Sequence, residues 1–170
     1  VKGLATAHVD DQNVAARRPY LNELHSSFVK RFEKIDRQTL PYDHCGLEYH
    51  RVGKDGVSLT QNQFCQRMET YFIDKKRSDN EVLGPEEKTK FRSQLDALLW
   101  LCMTRINIIE DVALLQQECT RPLLLHLRAT NDVVLKAKKY RDGVGLFYRP
   151  LSLPLKIVCF GDAASNNKHS

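Results

Sequence analysis

A chain of 170 residues, 42% apolar and 28% charged, holds enough material for one packed domain or parts of two, which excludes a chain disordered throughout. Its formal charge of +5 and pI near 9.0 favour a polyanionic partner, because Lys and Arg that neutralise phosphates gain from counterion release. Cys45, Cys65, Cys102, Cys119 and Cys159 include no paired C-x-x-C, which argues against a disulfide framework or zinc knuckle. They point instead to a reducing, intracellular setting. No run reaches the ~18 apolar residues of a membrane span, and Val1-Lys2-Gly3-Leu4 opens neither like a methionine start nor like a signal peptide, so the chain reads as an excerpt.

The first segment, Gly3 to Val9, is a short run of small and apolar residues that predicts a strand stopping at a tight turn, Asp10-Asp11-Gln12-Asn13. Pro19 then opens a helix with Leu21, Leu24, Phe28 and Phe32 on one stripe and Lys30, Arg31, Lys34 and Arg37 at its C-terminal end. Leu47 and Tyr49, then Gly53-Lys54-Asp55-Gly56, then Val57 and Leu59 alternate about a Gly-bounded turn, as in a hairpin. Thr60 is placed to cap a helix from Gln61 to about Phe72, with Phe64, Met68 and Tyr71 or Phe72 at helical spacing. Ile73 to Gly84 is polar and unperiodic, which predicts an exposed connector.

Pro85-Glu86-Glu87 begins the strongest helical pattern, with Phe91, Leu95, Leu98, Leu99 and Cys102 on one face, ending near Thr104-Arg105. Two further helices are predicted, Ile108 to Gln117 and one opened by Thr120-Arg121-Pro122 that runs to about Tyr140 before Gly143. Val144 to Arg149 and Leu155 to Phe160 read as strands of a second hairpin or a sheet edge. Gly161-Asp162-Ala163-Ala164 then leads into a polar tail.

Adjacent carboxylates at a strand-to-turn junction suit a hard cation such as Mg²⁺, which prefers oxygen ligands and keeps positions open for substrate phosphates. Consecutive side chains in a strand point apart, so Asp10 is the expected ligand and Asp11 an assisting or partial one. Taken alone, such a pair in a turn usually just caps backbone amides and meets water. Lys30, Arg31, Lys34 and Arg37, and later Lys136, Lys138, Lys139 and Arg141, could hold a nucleic-acid backbone; a solvated helix end favoured by the helix dipole explains both clusters as well. His44, Cys45 and His50 fit no zinc spacing, and Trp100, Tyr71 and Phe72 are expected in the core.

After Gly3-Leu4-Ala5-Thr6-Ala7, the string His8-Val9-Asp10-Asp11 resembles the Tyr/His-Val-Asp-Asp box of copia-type retrotransposon reverse transcriptases. Further landmarks follow in the order of that family. They are the Phe28 to Phe32 helix end, Tyr42 to Tyr49, Leu59-Thr60-Gln61, Phe91-Arg92-Ser93 through Leu98-Leu99-Trp100, Thr104-Arg105, Gly145-Leu146-Phe147-Tyr148, and Asp162-Ala163 of a ribonuclease H domain. The chain departs from the family at Asp96, where Gly is usual, at Ile106-Asn107, where Pro-Asp is usual, and at Gln12-Asn13.

The resemblance implies an α+β architecture. Residues 1–60 would be the end of a polymerase palm with its hairpin, 61–142 a helical thumb or connection, and 143–170 the truncated first strands of a ribonuclease H-like domain. It implies RNA-directed DNA polymerase chemistry with Mg²⁺ on Asp10 and Asp11, and a first ribonuclease H carboxylate and metal ligand at Asp162. The implied partners are an RNA template, a DNA primer or product, and other parts of the same polyprotein, with no membrane; the implied compartment is cytoplasmic, nuclear or both. A palm of this family also needs a third carboxylate and the fingers from upstream, so the piece alone is expected to catalyse neither reaction. Two rivals remain: a non-catalytic nucleic-acid-binding remnant, and a host interaction domain.

Overall fold

The computed structural model describes residues 3–8, 11–140 and 143–150, with mixed α and β structure. Strand β1 (Gly3–His8) pairs antiparallel with β2 (Asp11–Ala16), in a register that sets His8 opposite Asp11 and Gly3 opposite Ala16. The expected strand is therefore one arm of a hairpin. Asp11, Gln12 and Asn13 lie in β2 rather than in the turn, because the ladder runs unbroken from Asp11 to Ala16 and keeps their backbone groups bonded. Helix α1 (Arg18–Phe32) follows at once, with Pro19 in its first turn, where a missing N–H costs nothing. Its apolar stripe forms as expected, yet none of its residues is buried and Phe32 is exposed.

A second sheet has the order β3 (Tyr42–His44), β4 (Leu47–Val52), β5 (Gly56–Thr60), β6 (Leu146–Tyr148), antiparallel throughout. The β4–β5 hairpin is the one the Gly-bounded alternation predicts. Strand β6 pairs with β5, so residues on either side of the helical region share one sheet, and the strand expected over Val144 to Arg149 forms there as β6, the outermost among the described residues. A side chain at Gly145 would meet the Leu59 carbonyl at 2.6 Å, which is why the approach of β6 to β5 needs glycine there. The expected strand Leu155 to Phe160 lies outside the described residues.

The core belongs to the helices α2 (Asn62–Arg67), α3 (Pro85–Leu101), α4 (Ile109–Gln117) and α5 (Leu124–Lys139). Every buried apolar side chain among the described residues lies between Cys65 and Ala137. Phe91, Leu95 and Leu98 of α3 meet Val112 and Leu115 of α4 and Leu124, Leu127, Val134 and Ala137 of α5. Each such Leu, Val or Phe stabilises the fold by roughly 1.5–3 kcal/mol relative to exposure.

The helix from Gln61 stops at Arg67 instead of running to Phe72, because Asn131 takes the backbone beyond it: its side-chain oxygen accepts the Tyr71 N–H at 2.9 Å and its NH₂ donates to the Tyr71 carbonyl at 2.8 Å. In the extended segment that results, Tyr71 and Ile73 pack against the core while Phe72, between them, is 96% exposed. Thr60 does not cap α2. Its hydroxyl donates to Glu48 at 2.9 Å, and the Glu48 carboxylate, a stronger acceptor, takes the Gln63 N–H at 2.6 Å.

The connector to Gly84 is not wholly exposed either. Val82 bridges to Leu123, Leu83 is buried, and the Leu83 N–H donates to the Pro122 carbonyl at 3.1 Å. That use of Pro122 delays the start of α5 to Leu124. Trp100 is 40% exposed rather than core, beside Gly46 in the β3–β4 turn. A 3-10 turn, Ile106–Ile108, precedes α4, which otherwise matches the expected helix. No helix among the described residues is long and apolar enough to cross a membrane.

Candidate functional site

Asp11, the second residue of the acidic pair, opens β2 opposite His8, the last residue of β1. With His8 opposite Asp11, only residues 9 and 10 remain to connect the strands. Asp10 lies outside the described residues, and so does Asp162. Asp11 opens β2, and the structure describes its backbone alone. Among the described residues no three His, Cys, Asp or Glu side chains gather as a metal-ligand set.

The first basic cluster is only partly brought together. Lys30 and Arg31 occupy the last turn of α1, where the helix dipole favours cations, and the Arg31 guanidinium lies 5.8 Å from the centre of the Phe32 ring. Glu33 ends the helix with φ of 62°, which turns the chain back along it. Arg37 consequently donates to the Asn22 side-chain oxygen at 3.1 Å, near the start of α1, and so stands apart from Lys30 and Arg31. Lys34 is exposed just past the turn.

In the second cluster Lys136 is engaged, its ammonium 2.6 Å from the Asp111 carboxylate of α4. Lys138 is half-buried, and Lys139 lies 5.2 Å from the centre of the Tyr140 ring. Arg141 is outside the described residues. An ion pair across two helices was not readable from sequence, since Asp111 and Lys136 are 25 positions apart.

Sequence reasoning also missed three polar groupings that order the helical region. Gln94, Thr130 and Asn131 form a hydrogen-bonded set between α3 and α5, with the Thr130 hydroxyl donating to Gln94 and the Gln94 NH₂ donating to the Glu69 carbonyl. The signal for it was Thr130-Asn131, two polar residues inside an apolar helical stripe. Arg77 pairs with both Glu81 and Glu87. The Arg77 guanidinium first, and the Gly84 N–H second, hold the Glu87 carboxyl below its usual value. Glu87 also accepts that Gly84 N–H at 3.1 Å, half of a capping box whose other half a glycine cannot supply.

The third grouping surrounds Arg105. It is 1% exposed, its Nε donates to the Asn107 side-chain oxygen at 3.0 Å, and no carboxylate pairs with it among the described residues.

On the opposite face of the molecule's second sheet from Glu48, Tyr42 and Tyr49 stack at 4.9 Å between ring centres, and Asn13 of β2 hydrogen-bonds Tyr49. Burial raises the pKa of both phenols. This contact ties the acidic hairpin to the second sheet. Set against protein-family models, curated proteins and solved structures, the chain matches none of them.

Proposed function

We propose that this chain is a segment of a copia-type reverse transcriptase, running from the catalytic turn of the palm through the thumb or connection to the start of a ribonuclease H domain. Its parent activity would be RNA-templated DNA synthesis. The observation that carries the reading is the antiparallel pairing of β1 with β2, which sets His8 opposite Asp11, the first and last residues of His8-Val9-Asp10-Asp11, and which feeds directly into a helix with a basic end. The hairpin and helices then follow in the order that the resemblance implies, which supports it further.

In this reading Asp10, assisted by Asp11, is a ligand of Mg²⁺, whose bound form would lower the barrier to phosphoryl transfer by neutralising developing charge. A further carboxylate must come from outside these residues. Asp162 contributes to a separate ribonuclease H site. Lys30, Arg31 and Lys34, solvent-exposed around the end of α1, are the better candidates for backbone phosphates; Lys136 is held by Asp111.

The test is primer extension on an RNA template with Mg²⁺, using the chain within its natural flanking sequence, wild type against Asp10→Ala. The expected outcome is extension by the wild type and its loss, by several orders of magnitude, in the variant. Salt-dependent binding without extension from either protein would replace this reading with a non-catalytic nucleic-acid-binding one, and no binding at low salt would leave a protein-interaction domain.

A further inference from the structure

Arg105 is a permanent cation inside the fold. A guanidinium offers five N–H donors and cannot discharge itself by losing a proton, so burial leaves it dependent on acceptors and countercharge. Here it has few of either. Nε meets the neutral Asn107 amide, Nη1 meets the Cys65 sulfur at 3.9 Å, and Nη2 has no partner.

A second buried donor lies on the same structural unit. Gln61, also 1% exposed, uses its side-chain oxygen to accept the Thr104 hydroxyl at 2.9 Å, which leaves its Nε2 without a partner. The two lie together because the Thr104-Arg105 dipeptide runs beside the first turn of α2. Thr104 touches Gln61, Arg105 touches Cys65, and the Cys65 N–H donates to the Gln61 carbonyl at 2.9 Å. The unit thus presents two unmatched NH₂ nitrogens and one positive charge that no carboxylate compensates among the described residues.

A set made only of donors and a cation selects an anion; a cation or a neutral donor would find nothing to bind. Burial of both residues sets the size. A nucleic-acid phosphate attached to its chain cannot reach groups that are 1% exposed, whereas a single-atom anion can be enclosed by them. We infer that a monatomic inorganic anion of chloride's size binds between the Arg105 guanidinium and the Gln61 amide and supplies the countercharge of the helical core. The site is independent of the acidic hairpin and of any nucleic-acid contact.

The experiment compares the thermal unfolding of the full chain, wild type and Asn107→Asp, as sodium chloride replaces sodium gluconate at constant ionic strength. The new carboxylate would stand where the Asn107 amide already meets Arg105, providing the charge internally. The wild type is expected to gain about 3–6 °C in Tm per tenfold of chloride above its dissociation constant. Asn107→Asp is expected to unfold higher than the wild type in gluconate and to ignore chloride. Arg105→Met, where it folds, should ignore chloride too, and crystals grown in bromide should show an anomalous peak beside Arg105 Nη2. A wild type indifferent to chloride, a response shared equally by Asn107→Asp, or crystals without bromide beside Arg105 would each overturn the inference and leave the two donors to water.

Discussion

Single side chains decide where the elements of this protein begin and end. Glu48 is the clearest case: a buried carboxylate on β4 that satisfies the Thr60 hydroxyl and the Gln63 N–H, and so joins the second sheet to the start of α2. Glu48→Ala removes two acceptors at once and leaves a buried hydroxyl and a helix-terminal amide unmatched. The expected loss is about 1–3 kcal/mol, measured by urea unfolding. Thr60 was the visible capping residue in the sequence, and Glu48, 12 positions earlier, was not, because only the β4–β5 register places it against the helix. Asn131 acts in the same way on Tyr71, 60 positions distant, and cuts short a helix that local periodicity favours.

At the scale of the element, α3 is held at its N-terminus by Glu87. That carboxyl titrates below its usual 4.5, chiefly because Arg77 bonds its charged form and secondarily because the Gly84 N–H does. A carboxyl with a lowered folded pKa stabilises the fold above its unfolded value, and the contribution is lost as pH falls through the lowered one. Glu87→Ala should therefore cost about 1 kcal/mol at neutral pH, with the gap to the wild type closing below pH 4.5; urea unfolding across that range measures it. Helix α3 was legible from sequence because Pro85, the acids after it and the Phe91, Leu95, Leu98 stripe all agree. Strand β1 was legible from its small and apolar run, while its partner β2 was not, since Asp11-Gln12-Asn13 has the composition of a loop and owes its strand structure to pairing with β1.

Across the whole molecule, apolar burial is uneven. The helical region from Cys65 to Ala137 carries the core, while the β1–β2 hairpin and α1 bury no apolar side chain among the described residues. Local opening should follow that division. Amide hydrogen exchange is expected to be at least about tenfold slower in α3 and α5 than in α1 and β2, in line with the spread of opening energies within folded domains. Uniform protection across both regions would contradict it. Composition and periodicity made the helical half readable and left the sheet's last partner hidden, because nothing local to Leu146-Phe147-Tyr148 says that it will pair with residues 57 to 59.

That pairing makes the helices an insertion between neighbouring strands. The chain leaves the sheet at Thr60 and returns to it at Leu146, so the long excursion starts and finishes at one place. During synthesis β3, β4 and β5 can zip together as soon as they emerge, whereas β6 must wait for the helices to be made, and closing so long a loop carries an entropic cost that their packing offsets. Until then the outer edge of β5 is open to any other extended chain, which makes β6 a guard against mispairing in the nascent protein.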